Sequence, residues 1–241
     1  MISRNEVKYI QSLYHKKNRD EEDVFVAAGV KLISEILHSY FKPVKIYALQ
    51  DWIDQNPEVE DVIAVNESEL KKISTQETPG KVVAIVRKKN TEKITDLSGK
   101  ITLLLDGVQD PGNLGTIIRT AEWFGIENII ATNDTADVYN PKVIQSTMGS
   151  FLRINIFYAD LKQFLSNNII PVYGAVLNGE NISAVEPPDE CLLLTGNESK
   201  GIRDELLPYI QTKITIPRLG KAESLNVAVA TGIILWKFCV R

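Results

Sequence analysis

Five polar residues with side chains suited to chemistry lie in or beside loops that follow apolar segments of this chain. They are Asn113, Arg119, Glu198, Ser224 and Asn226. Amides, a hydroxyl, a carboxylate and a guanidinium can orient a nucleophile by hydrogen bonds and stabilise negative charge that develops on it. Loops at strand ends are where α/β proteins build ligand sites. The sequence therefore predicts one ligand site assembled from three loops.

Several common kinds of site are missing from the sequence. No G-x-G-x-x-G run follows the first strand of either half, and the loop from Gly196 to Gly201 is followed by Ile202-Arg203 where a phosphate loop would have Lys-Ser/Thr. The two histidines, His15 and His38, both lie early in the chain, so they predict neither a histidine triad nor a histidine metal site in the second half. The two cysteines lack metal-binding spacing, and we expect no metal.

The elements that must position these residues are apolar strands that alternate with helices. Predicted strands cover 101–105, 128–131, 154–157, 170–176, 192–194 and 213–216. Predicted helices cover 114–124, 142–148, 204–209 and 224–240. Because the strands are continuous apolar runs, they predict a parallel sheet covered on both faces. The expected fold class is α/β.

A polar stretch near residues 90–100 divides the chain into two predicted domains, 1–95 and 96–241. In the first, helices are predicted near 3–15 and at 28–40. Strands are predicted at 24–26, 46–49, 62–65 and 82–86. The alternation predicts a small α/β domain.

Charge and composition limit the partners. The net charge of -4 argues against a strong non-specific hold on nucleic acid, although local clusters such as Lys16, Lys17 and Arg19 can contact phosphates. The alternative interpretation of this cluster is a solvated surface. A charged start and the lack of a long apolar stretch predict a cytoplasmic protein without a membrane span.

Three runs together resemble the motifs of the SpoU (TrmH-like) RNA ribose methyltransferases of the SPOUT superfamily. They are Asp110-Pro111-Gly112-Asn113-Leu114-Gly115-Thr116-Ile117-Ile118-Arg119, Gly196-Asn197-Glu198-Ser199-Lys200-Gly201 and Ser224-Leu225-Asn226-Val227-Ala228. The resemblance covers roughly residues 101 to 241. It implies a trefoil knot at the C-terminal end of the domain, S-adenosyl-L-methionine as cofactor, and methyl transfer to a ribose 2′-hydroxyl of rRNA or tRNA. The phrase around Val24 to Lys31 resembles a ribosomal-protein-like RNA-binding domain.

The resemblance also implies roles for individual residues. Arg119, Asn113, Glu198, Ser224 and Asn226 would form the active site, and the cofactor would contact Gly196, Asn197, Ile216, Pro217 and Leu225, with Ala175 and Thr195 as further wall residues. In related enzymes this arginine is the proposed catalytic residue that activates the hydroxyl. Because a guanidinium stays protonated, we expect Arg119 to orient the hydroxyl and stabilise the alkoxide, with the proton acceptor left open.

Each of these residues also has a structural interpretation. Arg119 can pair with Glu122, one turn later on a helix. Asn113 and Ser224 are both natural N-caps. The run Ser146-Thr147-Met148-Gly149-Ser150 resembles a lesser signature of the family near the substrate cleft, or it marks a helix that ends at Gly149.

The last predicted helix is apolar on most sides, so it must be covered on most sides. A second subunit or another helix of the same chain would serve, and the resemblance favours a homodimer. For function, the alternatives to the methyltransferase are a catalytically silent RNA-binding or ribosome-assembly factor with the same fold, and a nucleotide-dependent oxidoreductase. The five polar residues argue against the first, and the missing glycine-rich loop argues against the second.

Overall fold

A computed structural model describes residues 2–76, 80–89 and 97–240. The helices along these residues are α1 (Arg4–Ser12), α2 (Lys16–Glu22), α3 (Val30–Leu37), α4 (Gln50–Gln55), α5 (Glu67–Ile73), α6 (Pro111–Trp123), α7 (Pro141–Thr147), α8 (Leu161–Ser166) and α9 (Val227–Cys239). The strands are β1 (Val24–Ala28), β2 (Pro43–Ala48), β3 (Val62–Ala64), β4 (Val82–Arg87), β5 (Ile101–Leu105), β6 (Asn128–Ala131), β7 (Asn155–Tyr158), β8 (Val172–Asn181), β9 (Cys191–Thr195) and β10 (Thr212–Thr215).

The chain forms two compact units. One unit combines Met1–Asn90 with Tyr139–Leu152, and the other combines Thr91–Val138 with Arg153–Arg241. The predicted boundary at 95/96, with most of the predicted linker, lies outside the described residues. The first unit also takes in 139–152, a stretch that the sequence interpretation assigned to the second domain.

The first unit has a mixed sheet in the order β1-β4-β2-β3, in which β4 runs antiparallel to both of its neighbours and β2 runs parallel to β3. Helices pack against this sheet over an apolar core that includes Ile10, Tyr47, Leu70 and Ile85. Its strands fall where the sequence predicts strands, with β2 beginning earlier than expected.

The basic cluster at residues 16–19 lies on α2, a helix that the sequence interpretation missed. Lys16 and Lys17 are exposed, whereas Arg19 is only 1% exposed. The Nη1 atom of Arg19 donates hydrogen bonds to the carbonyl oxygens of Leu13 (3.0 Å) and Tyr14 (2.8 Å). A guanidinium that is buried on backbone carbonyls holds the turn between α1 and α2 and has no access to a phosphate. The prediction that Arg19 contacts RNA is therefore wrong.

The segment Tyr139–Leu152 completes the core of the first unit, although β6 and β7, which flank it in sequence, belong to the second. The ring of Phe25 on β1 stacks on Tyr139 with 4.8 Å between centroids and meets Phe151 edge-to-face at 5.8 Å. Between these two anchors, α7 buries Val143 and Ile144. Aromatic contacts at both ends of the segment therefore fix it to the edge strand β1.

The second unit has a sheet in the order β10-β8-β9-β5-β6-β7 in which all neighbouring strands are parallel. Strands β5, β6 and β9 are almost entirely buried, as predicted for a sheet covered on both faces. The α/β class with a parallel C-terminal sheet is confirmed. The trefoil knot stays a prediction.

Two predicted helices of this unit differ from those observed. The stretch 204–209 has only a single 3₁₀ turn, Leu207–Tyr209, because Pro208 lacks the N–H that a longer helix would need. The last helix begins at Val227 and not at Ser224, since Asn226 supplies its cap. No helix among the described residues is long and apolar enough to cross a membrane.

Candidate active site

Three loops of the second unit leave the same edge of the parallel sheet. They follow the neighbouring strands β5 and β9 and, two places further along the sheet, β10. Carboxyl ends of parallel strands lie at one edge, so the loops carrying Asn113, Glu198 and Asn226 meet there. The three-loop site predicted from the sequence therefore has a physical basis in the strand order.

A chain of side-chain hydrogen bonds links one residue from each loop. Asn226 Nδ2 donates to Asn113 Oδ1 at 2.9 Å, and Asn113 Nδ2 donates to Glu198 Oε1 at 2.9 Å. Asn113 and Glu198 are half-buried, whereas Asn226 is exposed. The structure thus brings together three of the five predicted catalytic residues. In the sequence, Asn113 lies 85 positions from Glu198 and 113 positions from Asn226.

Helix capping fixes two members of this chain. The side chain of Asp110 accepts from the Asn113 N–H at 2.8 Å and caps α6, while Pro111 occupies its first turn. Asn226 Oδ1 accepts from the N–H groups of Ala228 and Val229 and caps α9. The N-cap interpretations of Asn113 and Ser224 are therefore wrong, and the amide of Asn113 is available for Glu198 and Asn226.

Hydrogen bonds within the loop after β9 define where Glu198 lies. Asn197 and Gly201 exchange two backbone hydrogen bonds of 2.9 Å, and the Asn197 side chain donates to the carbonyl of Gly107 at 2.7 Å. A Cβ on Gly196 would overlap the backbone of Gly201, and Gly201 itself has a φ of +70°. Both glycines are needed for this tight turn, which places Glu198 near its tip.

A cavity of about 790 Å³ opens beside this loop. All seven residues predicted to contact the cofactor line it: Ala175, Thr195, Gly196, Asn197, Ile216, Pro217 and Leu225. Glu198 and Ser224, from the predicted catalytic set, also line the cavity. Which ligand these residues bind stays a prediction.

The cavity suits a nucleoside-sized ligand with a charged tail. Its volume lies within the range of small-molecule sites, about 300–1,000 Å³. Apolar side chains such as Ile202, Ile214 and Ile234 form part of the wall, and the loops offer main-chain groups beside the carboxylates of Glu198 and Glu223. Apolar walls can hold a base, while carboxylates favour a cationic centre, so the donor set fits S-adenosyl-L-methionine.

Arg119 lies on the exposed side of α6, beyond the residues that line the cavity. Six residues of helix separate it from Asn113, which is about 9 Å of rise and about one and two-thirds turns. The two side chains therefore leave α6 in different directions. The catalytic role of Arg119 stays a prediction.

Sequence reasoning missed three charged residues beneath the loops. Asp106, the first residue after β5, is fully buried, and its Oδ2 accepts from the Arg203 N–H at 2.8 Å. Burial raises the pKa of Asp106, and hydrogen bonding and charge attraction from Arg203 offset part of that effect. The Arg203 side chain also pairs with Asp134. Partial burial acts to raise the pKa of that carboxyl, but hydrogen bonds from Arg203 and Thr132 together with the charge of Arg203 lower it overall. The sequence signal that could have pointed to Asp106 is its position directly after a predicted strand.

Among the described residues, no group of three or more histidine, cysteine, aspartate or glutamate side chains could hold a metal ion. The thiol of Cys191 is buried in the sheet, and burial raises its pKa to about 12. A thiol with so high a pKa is a poor nucleophile. The side chains that the structure brings together here are two amides and a carboxylate.

Comparison with known protein families shows which family the chain belongs to. Residues 100–236 match the model of the SpoU rRNA Methylase family. The chain belongs to this family. Residues 4–84 match a second model, the MRM3-like substrate binding domain. The resemblance that the three motifs carry is thereby confirmed.

Relatives in the SpoU family resemble the chain over nearly its full length. A Bacillus subtilis protein named 23S rRNA (guanosine(2553)-2′-O)-methyltransferase RlmP is 32% identical over 95% of this chain and 94% of its own. A solved structure of a putative RNA methyltransferase of the TrmH family from Porphyromonas gingivalis has a TM-score of 0.89 at 35% identity, covering 99% of this chain and 98% of its own. An AdoMet-bound rRNA methyltransferase from Sinorhizobium meliloti has a TM-score of 0.88 at 33% identity, covering 98% and 95%.

Proposed function

We propose that this protein transfers a methyl group from S-adenosyl-L-methionine to a ribose 2′-hydroxyl of ribosomal RNA. The observation that carries the proposal is the hydrogen-bonded chain from Asn226 through Asn113 to Glu198, whose last member lines the cavity. A pure RNA-binding factor does not need such an arrangement. Ribosomal RNA is preferred to tRNA because the named full-length relative from Bacillus subtilis acts on 23S rRNA.

The protein contributes to this reaction mainly by positioning the attacking hydroxyl and the methyl group. S-adenosyl-L-methionine supplies an electrophilic methyl group with a neutral leaving group. Holding the attacking hydroxyl in line with that methyl group can provide about 7–11 kcal/mol of the barrier reduction. Glu198 lines the cavity, and Asn113 donates to its carboxylate; in the proposed reaction this pair would help fix the reacting groups, and Arg119 would orient the hydroxyl and stabilise the alkoxide as its proton leaves.

RNA contact would begin on the first unit, through the exposed Lys16 and Lys17. The match of residues 4–84 to a substrate binding domain supports this assignment. The sequence-based prediction of a cytoplasmic enzyme, with an RNA-binding domain near residues 1–95 and a methyltransferase domain near 96–241, is kept as part of the proposal.

A homodimer through α9 is also part of the proposal. One side of this helix is buried, by residues such as Ile234, Leu235 and Phe238. The opposite side is exposed and apolar at three positions with helical spacing: Val229, Ile233 and Trp236. Trp236 is 59% exposed, and Trp123 on α6, the helix that packs against α9, is 83% exposed. A contiguous apolar patch of this kind marks an interface, and a second copy of the chain presents the matching patch.

The decisive experiment measures methyl transfer. Purified full-length protein is given radiolabelled S-adenosyl-L-methionine and rRNA from cells that lack the corresponding gene, and the modified ribose is then mapped. We expect transfer to one rRNA site, loss of transfer in Arg119→Ala, and poor rescue in Arg119→Lys, because a point charge lacks the planar fork. Thermal stabilisation by the cofactor without transfer to any RNA would favour the silent RNA-binding factor.

The dimer has a separate test. Light scattering at micromolar concentration should give about twice the chain mass of 27.0 kDa, and Trp236→Glu should lower that mass because a carboxylate cannot be buried in an apolar interface without a partner. Lys237→Glu, the next position on the same helix, is the matched control. A monomeric wild type with full activity would contradict the dimer.

A further inference from the structure

Both ends of the loop that carries Glu198 are bound to one residue, Asp106. Before the loop, the Asp106 N–H donates to the carbonyl of Thr195 at 2.9 Å. After it, Asp106 Oδ2 accepts from the N–H of Arg203 at 2.8 Å. Backbone and side chain of a single residue therefore close the stretch 195–203 into a ring, with Glu198 near its far point.

The surroundings of Asp106 make this closure stiff. Its side chain is fully buried, and its second oxygen, Oδ1, lies 3.1 Å from Arg203 Nε but outside hydrogen-bond geometry. Arg203 extends over Gly107 to the carboxylate of Asp134, which follows β6. Asp106 is buried although Arg203 is exposed, and opening the loop would leave a buried carboxylate without its hydrogen-bond donor, so the closed arrangement resists opening.

The neighbouring glycine is adapted to this arrangement. Gly107 has a φ of +70°, and a Cβ there would lie 3.3 Å from Arg203 Nη2 and 3.5 Å from Asp134 Oδ2. Its carbonyl accepts the Asn197 side chain, and its N–H donates to Thr132 Oγ1 at 2.9 Å. Asp106 and Gly107 together therefore join the Glu198 loop to the ends of β5 and β6.

We propose that Asp106, with Arg203 as its partner, is a positioning residue that sets the location of Glu198 by holding both ends of the loop. It touches neither the cavity nor the hydrogen-bonded chain of Asn113, and it acts through the loop alone. The inference rests on the proposed function, because Glu198 is the residue whose placement affects transfer. A carboxylate displaced by about 1 Å can cost on the order of 100-fold in rate.

The first test needs no activity. Hydrogen exchange of peptides that cover 195–203 is compared in the wild type, Asp106→Asn and Asp106→Ala. Asn keeps one oxygen that can accept the Arg203 N–H, whereas Ala keeps none, so exchange should quicken in the order Asp, Asn, Ala. Arg153→Ala is the control, because it removes an exposed arginine-carboxylate pair of the same unit, with Glu122 at 2.7 Å. Equal exchange in all four proteins would overturn the proposal.

The second test is a double-mutant cycle on methyl transfer, measured well below the melting temperature of each variant. Asp106→Asn should lower kcat about 10- to 100-fold in the wild type, and should lower it far less in a Glu198→Gln background. Equal losses in both backgrounds would assign Asp106 a general structural role and overturn the proposal. If the wild type transfers no methyl group, the proposed function fails, whereas the exchange experiment still decides the role of Asp106.

Discussion

Replacing Asn113 with Asp tests the central hydrogen-bonded chain, because it changes one donor into an acceptor and adds a charge. The atom that replaces Nδ2 would be an oxygen about 2.9 Å from Glu198 Oε1. Two unit charges at this separation repel by about 1.4 kcal/mol in water and about 6 kcal/mol at an effective dielectric constant near 20. Since both residues are half-buried, we expect an intermediate cost after the side chains relax.

Asn113→Ala is the comparison variant: both variants lose the donor to Glu198, whereas only Asp keeps an oxygen that can accept from Asn226. A lost hydrogen bond costs about 1 kcal/mol, so the difference between the variants is the repulsion less about 1 kcal/mol for the Asn226 bond that Asp can keep. Near pH 8 the Asp variant should melt roughly 3–6 °C below the Ala variant, which corresponds to about 1.5 kcal/mol for a chain of this size. The rate of methyl transfer by the Asp variant should not exceed that of the Ala variant.

The difference between the two variants should depend on pH. A carboxyl group that faces another carboxylate has its pKa raised in the folded state, so protonation stabilises the fold at low pH and this benefit is lost as the pH rises. The gap in melting temperature should therefore close as the pH falls towards about 5. An Asp variant that melts with the Ala variant at pH 8 would show that these two side chains do not face each other in solution.

Three further predictions concern the first unit: two test its stability, and one tests RNA binding. Gly149→Ala should lower the free energy of unfolding in urea by about 1–3 kcal/mol, since Gly149 has a φ of +94° and a Cβ there would overlap the Glu35 carboxylate. Gly99→Ala is the control: Gly99 also has a positive φ but has open space around it, so the loss should be smaller. Glu6→Gln should flatten acid unfolding, because hydrogen bonds from Lys45 and Tyr47 lower the pKa of Glu6 in the folded state. The added stability is present above the ordinary value near 4.5 and is lost as the pH falls from there through the lowered pKa. A curve as steep as the wild type would contradict this role. Charge reversal at Lys16 and Lys17 should weaken RNA binding and reduce its salt dependence, and an unchanged salt slope would place the RNA elsewhere.

The sheet of the second unit was predictable because its strands are continuous apolar runs that loops interrupt sharply. The segments 101–105 and 128–131 match β5 and β6 residue for residue. Helix ends were less predictable, because several polar residues near each end compete for the cap. Asp110 caps α6 and Asn226 caps α9, whereas Asn113 and Ser224 cap neither helix. Which residue acts as the cap depends on where the chain enters the helix, and this is fixed by the packing of the fold.

Polar contacts that support the fold escaped the sequence almost entirely, whether their partners are near or distant in the chain. Nothing local to Arg19 distinguishes it from Lys16 and Lys17, yet it is buried because two carbonyls at the end of α1 face it. The contact between Asp106 and Arg203 spans 97 positions, and neither residue belongs to the motifs that identify the family. Pattern recognition finds residues that relatives share, whereas the supporting contacts appear only when the strands are placed side by side.

The segment Tyr139–Leu152 affects how this protein can be divided or recombined. A truncation at residue 95 would remove β1 and leave Phe151 and Ile144 without the surface that buries them, so it would create an aggregation-prone fragment and not a minimal catalytic domain. A chimaera that exchanges the first unit for that of a relative must exchange two separate pieces of sequence together. The first unit is therefore built from two pieces of sequence, and substitutions at the aromatic contacts between them must remain compatible.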